Sequence, residues 1–164
     1  MLSDKMVKAL NDQIDLELSS AYLYLAMAAD CEAQSLPGIA RWLKAQFKEE
    51  QSHALKLFDY MTDRNGRVTL GPIDKPKAKF GPPLGLFKAV LAHEQKVTAA
   101  IHKLYELALT EKDYPTQILL QWYVKEQVEE EKTAEDIIRQ LEAVDGKPHL
   151  LLMVDHKLGE REAG

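Results

Sequence analysis

Four stretches of this chain repeat apolar residues in alternating steps of four and three, and each repeat is broken near its middle by a glutamate. The first reads Leu10, Ile14, Glu17, Ala21, Tyr24, Ala28, Cys31; the second reads Ile39, Leu43, Gln46, Glu50, His53, Leu57, Tyr60. The third reads Phe87, Leu91, Glu94, Thr98, Ile101, Tyr105, Ala108; the fourth reads Leu120, Tyr123, Gln127, Glu130, Ala134, Ile137, Leu141. This spacing is the period of helices packed into a bundle. A charged group in such a seam is costly unless it is paired or bound to a metal. The same feature that predicts the fold therefore demands a compensating charge at its centre.

Local signals bound the helices. Ser3 is placed to cap the first, which runs to about Gln34, where Ser35-Leu36-Pro37-Gly38 breaks it. The second runs to about Arg64 and stops at Asn65-Gly66, a left-handed terminating signal. The third spans about Leu84 to Glu111. The fourth is capped by Asp113 and ends at Asp145-Gly146, and a short fifth follows over Pro148–Gly159. The bundle thus covers about residues 3–145 of a single domain, 1–164.

One long irregular stretch, from Arg67 to Pro83, separates the second and third helices and holds four of the seven prolines, Pro72, Pro76, Pro82 and Pro83, with Lys75, Lys77 and Lys79. A helix of about 27 residues is roughly 40 Å long at about 1.5 Å per residue. About seventeen extended residues at roughly 3.3 Å each can cross that length. The stretch is therefore expected to return the chain along the whole bundle, leaving helices two and three parallel. The expected fold class is all-α: a four-helix bundle with a long crossover and a short C-terminal fifth helix.

With that topology Glu17, Glu50, Glu94 and Glu130 come to a similar height, joined by His53, one turn after Glu50, and by Gln127. Four uncompensated carboxylates in an apolar core would repel one another and take up protons. Two divalent cations would offset their charge. Di-iron carboxylate bundles place a Glu on each of two helices and Glu-x-x-His on each of the other two. Glu17 and Glu94 fit the single positions and Glu50-x-x-His53 fits one pair, but Gln127-x-x-Glu130 stands where the second pair would be. One metal would then have a nitrogen ligand and the other only oxygens, a set suited to Fe or Mn rather than to a closed zinc site. Gln127 is expected to hydrogen-bond a ligand carboxylate or a bound oxygen species. Glu49, Glu126 and Glu129 adjoin this layer as a third, looser, more exposed metal site. Tyr24 follows Glu17 on the same seam, with its hydroxyl within reach of a ligand carboxylate. His93 lies one position off its seam and is read as a non-ligand; Trp122 is read as packing.

Glu17 with Ala21-Tyr22-Leu23-Tyr24, Glu49-Glu50-x-x-His53, His93-Glu94 and Glu126-Gln127-Val128-Glu129-Glu130 make the chain resemble a ferritin of the haem-free bacterial or archaeal kind over nearly its whole length. That resemblance implies Glu17, Glu50 and His53 around a first iron, and Glu50, Glu94 and Glu130 around a second, with Glu50 bridging. It implies a third site of Glu49, Glu126, Glu129 and Glu130, and a tyrosine beside the centre at Tyr24. It also implies oxidation of Fe(II) by O2 or H2O2 and storage of ferric mineral in a homo-oligomeric cage of about two dozen subunits. Haem-binding relatives carry a methionine where this chain has Ser52, so no haem is expected.

A di-iron oxidase that keeps its metals and acts on an organic substrate is the main alternative, and a purely structural bundle is a third. The single cysteine, Cys31, excludes an internal disulfide, and the net charge of −5 argues against nucleic acid. Met1–Met6 has no apolar run of signal-peptide length, and the longest apolar stretch, near Ala21–Ala29, is too short to span a membrane. A cytoplasmic protein with no membrane partner is expected.

Overall fold

The structure, a computed structural model, describes residues 1–144 and 146–160. They form α1 (Asp4–Ala33), α2 (Pro37–Asp63), α3 (Pro83–Thr110), α4 (Tyr114–Val144) and α5 (Pro148–Gly159). The all-α bundle with a crossover and a short fifth helix is therefore borne out. Asp145, half of the expected stop of the fourth helix, lies outside the described residues, as do residues 161–164. No helix among the described residues is long and apolar enough to cross a membrane.

The helix ends follow from local chemistry. Ser3 is extended and its hydroxyl accepts from the Met6 amide at 3.1 Å, as expected of an N-cap. Asp113 caps α4 by accepting from the Thr116 amide at 3.4 Å, is held by the Thr116 hydroxyl at 2.8 Å, and accepts from Arg64 at the end of α2 at 3.1 Å. α1, α2 and α3 all end in the same way. The residue in the left-handed region is Ser35, Asn65 or Lys112, with φ of 59°, 55° and 54°. The next residue's amide reaches back five positions, as in Gly66 N to Met61 O at 2.7 Å. At the Asn65-Gly66 stop, Asn65 takes the left-handed conformation, leaving Gly66 an ordinary one.

The crossover, residues 64–82, climbs α1 by a series of side-chain anchors. Asn11 accepts from the Thr69 amide at 2.9 Å, Asp15 from the Gly71 amide at 2.9 Å, and Asp30 from the Phe80 amide at 2.7 Å. The order 11, 15, 30 against 69, 71, 80 shows that it runs from the start of α1 to its end. It delivers α3 to the level where α2 began, so α2 and α3 run parallel, and α1 packs on α2 as α3 packs on α4.

Two separate apolar cores result. One joins Tyr24, Met27, Cys31, Ile39, Leu43, Phe87, Val90, Ile137 and Leu141. The other joins Met6, Leu10, Ile14, Leu57, Met61, Val97, Ile101, Leu104 and Leu120. On every long helix the residues between the two cores include the mid-seam glutamate. The α3 seam is rotated from the expected line. Val90, Val97 and Leu104 are buried, whereas Leu91, Thr98 and Tyr105 are half-buried. Apolar residues flank Glu94 on both sides in sequence, and the packing of α3 against both α1 and α4 selects one side.

α5 is held to the start of α2 by contacts that no short-range pattern announces. Leu36 offers α2 no side-chain cap. The buried Asp155 carboxylate of α5 supplies it, accepting from the Gly38 and Ile39 amides at 3.1 and 2.8 Å. Arg41 donates to Gly159 O at 2.9 Å. The backbones cross so closely that a Cβ on Gly38 would lie 1.8 Å from Asp155 O. Gly38→Ala should therefore separate the two segments and cost about 1–3 kcal/mol, the usual range for overpacking. Hydrogen exchange should show lost amide protection across Pro148–Gly159; unchanged protection would contradict this account of the α5 anchor.

Candidate metal centre

The four helices deliver Glu17, Glu50, Glu94 and Glu130 to the layer between the two cores, with exposures of 1%, 2%, 1% and 8%. Oxygen atoms of Glu17 and Glu50 and a ring nitrogen of His53 lie within 4.8 Å of one another, close enough to share one cation. His53 Nδ1 is 3.5 Å from Glu50 Oε2. His53, Glu126 and Glu130 form a second such grouping, also within 4.8 Å. Glu126 and Glu49 are half-buried. Glu129 is exposed and belongs to neither grouping.

Three of the four carboxyl groups accept hydrogen bonds from neighbouring side chains. Glu17 Oε1 accepts from Gln13 at 2.8 Å, while Glu17 Oε2 is buried and makes no hydrogen bond. A buried carboxyl oxygen without a hydrogen-bond partner, beside a second carboxyl group and an imidazole, is a donor set that suits a hard divalent cation. Glu94 Oε1 accepts from the Tyr24 hydroxyl. Glu94 Oε2 accepts from Gln127 at 3.1 Å, and Gln127 also donates to Glu94 O and Thr98 Oγ1, both at 3.2 Å. Glu130 Oε2 accepts from Gln46 at 2.9 Å.

Around this layer Tyr123 donates to His53 O at 2.7 Å, and Trp122 sets its ring edge-on to His53 at 5.3 Å with Lys56 above it at 4.0 Å. His93 meets Ser20 at 2.7 Å and faces Tyr24 edge-on at 6.3 Å. Glu131 accepts from Thr98 at 2.6 Å. Surface clefts of about 480 and 470 Å³, between α1 and the crossover and between α3 and α4, are lined by none of the four glutamates.

Residues 7–144 match the family model described as a ferritin-like domain. The chain belongs to that family. It is 40% identical over 161 residues to the bacterial non-heme ferritin of Staphylococcus epidermidis, spanning 98% of this chain and 97% of the relative. The Staphylococcus aureus protein of the same name is 38% identical over the same shares. Among solved structures, an open-pore ferritin from the archaeon Archaeoglobus fulgidus superposes with a TM-score of 0.98 at 44% identity, covering 99% of this chain and 100% of the other. A humanized archaeal ferritin superposes with a TM-score of 0.97 at 45% identity, with 99% of each chain covered.

Two partners of this ferritin-like layer escaped the sequence reading. Gln13 stands four residues before Glu17, a spacing at which an amide and a carboxylate meet on one helix face. That spacing is a local signal within α1. Gln46 lies in the α2 seam, and its pairing with Glu130 of α4 depends on the tertiary fold alone.

Burial dominates the electrostatics. It raises the Glu17 carboxyl well above the usual range, and the neighbouring Glu50 charge adds to this. Glu50 is raised by burial and by Glu94. Glu130 moves from an ordinary 4.5 to about 8 through burial, then Glu94 and Glu49, against opposition from Gln46 and His53. Tyr24 is raised by burial and by Glu94. A carboxyl raised in the folded state stabilises the fold only while protonated. Glu130's contribution is complete below about 4.5 and lost as the pH passes about 8, and Glu17 and Glu50 act in the same direction. The melting temperature of the metal-free protein should therefore fall as the pH rises from about 5 to about 8. A divalent cation, which binds the carboxylate form, should restore it and release protons. A flat or rising metal-free profile over that window would contradict the assignment.

Proposed function

We propose that this chain is an iron-storing ferroxidase. It oxidises Fe(II) at the glutamate layer and holds the ferric product inside a cage of identical subunits. The observation that carries the reading is the Glu17–Glu50–His53 grouping, with its orphaned Glu17 oxygen, at the centre of a chain of the ferritin-like family.

Fe(II) is the substrate. Glu17, Glu50 and His53 would take one iron and Glu50, Glu94 and Glu130 the second, with Glu50 shared between them. Two neighbouring Fe(II) ions each give up one electron. O2 accepts the pair with two protons and leaves as H2O2; H2O2 in its place accepts two electrons and two protons and leaves as two waters. The protein's part is positioning and charge. Burial raises the proton affinity of Glu17, Glu50 and Glu130, and a cation taken up at the layer replaces those protons. Gln127 and Tyr24 keep Glu94 turned to the layer, and Tyr24 is a buried phenol placed to pass a proton to it. Glu126 with Glu130, and Glu49 and Glu129 farther out, form a third, weaker position through which iron would move toward the cavity. A single imidazole leaves the second iron with oxygen ligands alone, and that asymmetry suits release. The reading carries with it an assembly of about two dozen subunits.

Stopped-flow mixing of Fe(II) with aerated protein should give rapid oxidation, and Glu50→Ala or His53→Ala should slow it at least about a hundredfold, a rise of roughly 3 kcal/mol in the barrier. Wild-type rates in both variants would rule the assignment out. Native mass measurement after iron loading should find a closed assembly carrying many more irons than its ligand sites number. A few retained irons per chain would instead favour the organic-substrate oxidase.

A further inference from the structure

Three buried amides surround the layer, and each donates to a different glutamate. Gln13 holds Glu17 Oε1 at 2.8 Å, Gln127 holds Glu94 Oε2 at 3.1 Å, and Gln46 holds Glu130 Oε2 at 2.9 Å. Gln13 and Gln46 occupy equivalent places, each one turn before a glutamate, as Gln13-x-x-x-Glu17 and Gln46-x-x-x-Glu50. Gln13 serves the glutamate of its own helix. Gln46 instead reaches across from α2 to Glu130 on α4.

Glu130 is the acid this contact matters for most. It is the member of the four-glutamate layer that also joins His53 and Glu126 in the second grouping, and it feels the charges of both Glu94 within the layer and Glu49 outside it. The terminal torsion of a glutamate is soft, so its carboxylate plane turns readily unless something holds one oxygen. An amide N–H at 2.9 Å does so, and burial of the pair makes that bond costly to leave unmade.

We propose that Gln46 is a positioning residue: it fixes the carboxylate plane of Glu130 so that this one acid serves both the inner layer and the outward position it forms with Glu126. Without that bond, Glu130 turns wholly toward the inner layer and the outward position loses a ligand. This rests on the metal-site reading given above. Gln13, on the far side of the layer, has no such effect, because Glu17 takes part only in the inner grouping.

The test uses the assembled, metal-free protein titrated calorimetrically with Zn(II) or Co(II), so that no redox step enters. The wild type should bind two ions tightly and one more weakly. Gln46→Met, close in length but lacking the donor, should weaken the outward ion by about 10–100-fold, the usual loss on removing an outer hydrogen-bond partner, and leave the inner pair nearly unchanged. Gln13→Met should show the opposite pattern, weakening an inner ion and sparing the outward one. Circular dichroism and melting temperature establish that each variant is folded, and Gln46→Leu carries the same test if Gln46→Met is not. A Gln46→Met isotherm identical to wild type, or equal weakening of every site, overturns the proposal while leaving the metal-site reading intact. A wild type that binds no ion overturns that reading, and the proposal with it.

Discussion

The burial of four carboxylates at one level of an apolar bundle is the constraint on which the rest of this structure depends. Each acid alone would be expelled from such a core or would hold a proton there. Desolvation is the largest cause of raised proton affinity at Glu17, Glu50 and Glu130, and the charge of Glu50 adds to it at Glu17 and that of Glu94 at Glu50 and Glu130. The fold accommodates them by splitting its apolar interior into two cores with the acids between. It also supplies one neutral donor to each of Glu17 and Glu130, two to Glu94, and sets the imidazole of His53 beside Glu50. Neutral donors hold the carboxylates in place without cancelling their charge. That charge is left for protons or cations to balance, and Glu17 Oε2, in the grouping with Glu50 and His53, accepts no hydrogen bond from a neutral side chain.

Bringing mid-helix acids to a common height is a topological task, and the crossover performs it. Its backbone amides hang on Asn11, Asp15 and Asp30 of α1, so a segment with no regular structure of its own is guided along the full helix. A short hairpin in its place would start α3 at the opposite end of the bundle. The same economy appears at α5, where one buried carboxylate, Asp155, both caps α2 and fastens the last helix to the bundle. Gly38 and Gly159 allow the backbones to approach closely enough for that bond to form.

The asymmetry of the centre follows from a substitution pattern within a shared plan. α2 brings a carboxylate and an imidazole one turn apart, and α4 brings an amide and a carboxylate at the same spacing. Gln127 spends its donors on Glu94 and Thr98 and so stiffens the site. Glu130, by contrast, stands at the edge, more exposed than the other three acids and close to both His53 and Glu126. The layer is thus most deeply enclosed at Glu17 and Glu94 and least so at Glu130.

Periodicity and spacing in the sequence by themselves determined the helices, their caps at Ser3 and Asp113, the crossover and the level of the four glutamates. These depend on residues within a few turns of one another or on chain length, both of which a linear pattern records. Periodicity pointed to the wrong side of Glu94, the line of Leu91, Thr98 and Tyr105, because Val90, Val97 and Leu104 satisfy the same spacing and are the residues buried. Only the tertiary structure decided that. It alone also joined Asp155 to the start of α2, Gln46 to Glu130, and His53 to Glu126. Each of these contacts links residues on different helices, and their meeting depends on how the helices are rotated and staggered, which no single helix's sequence specifies.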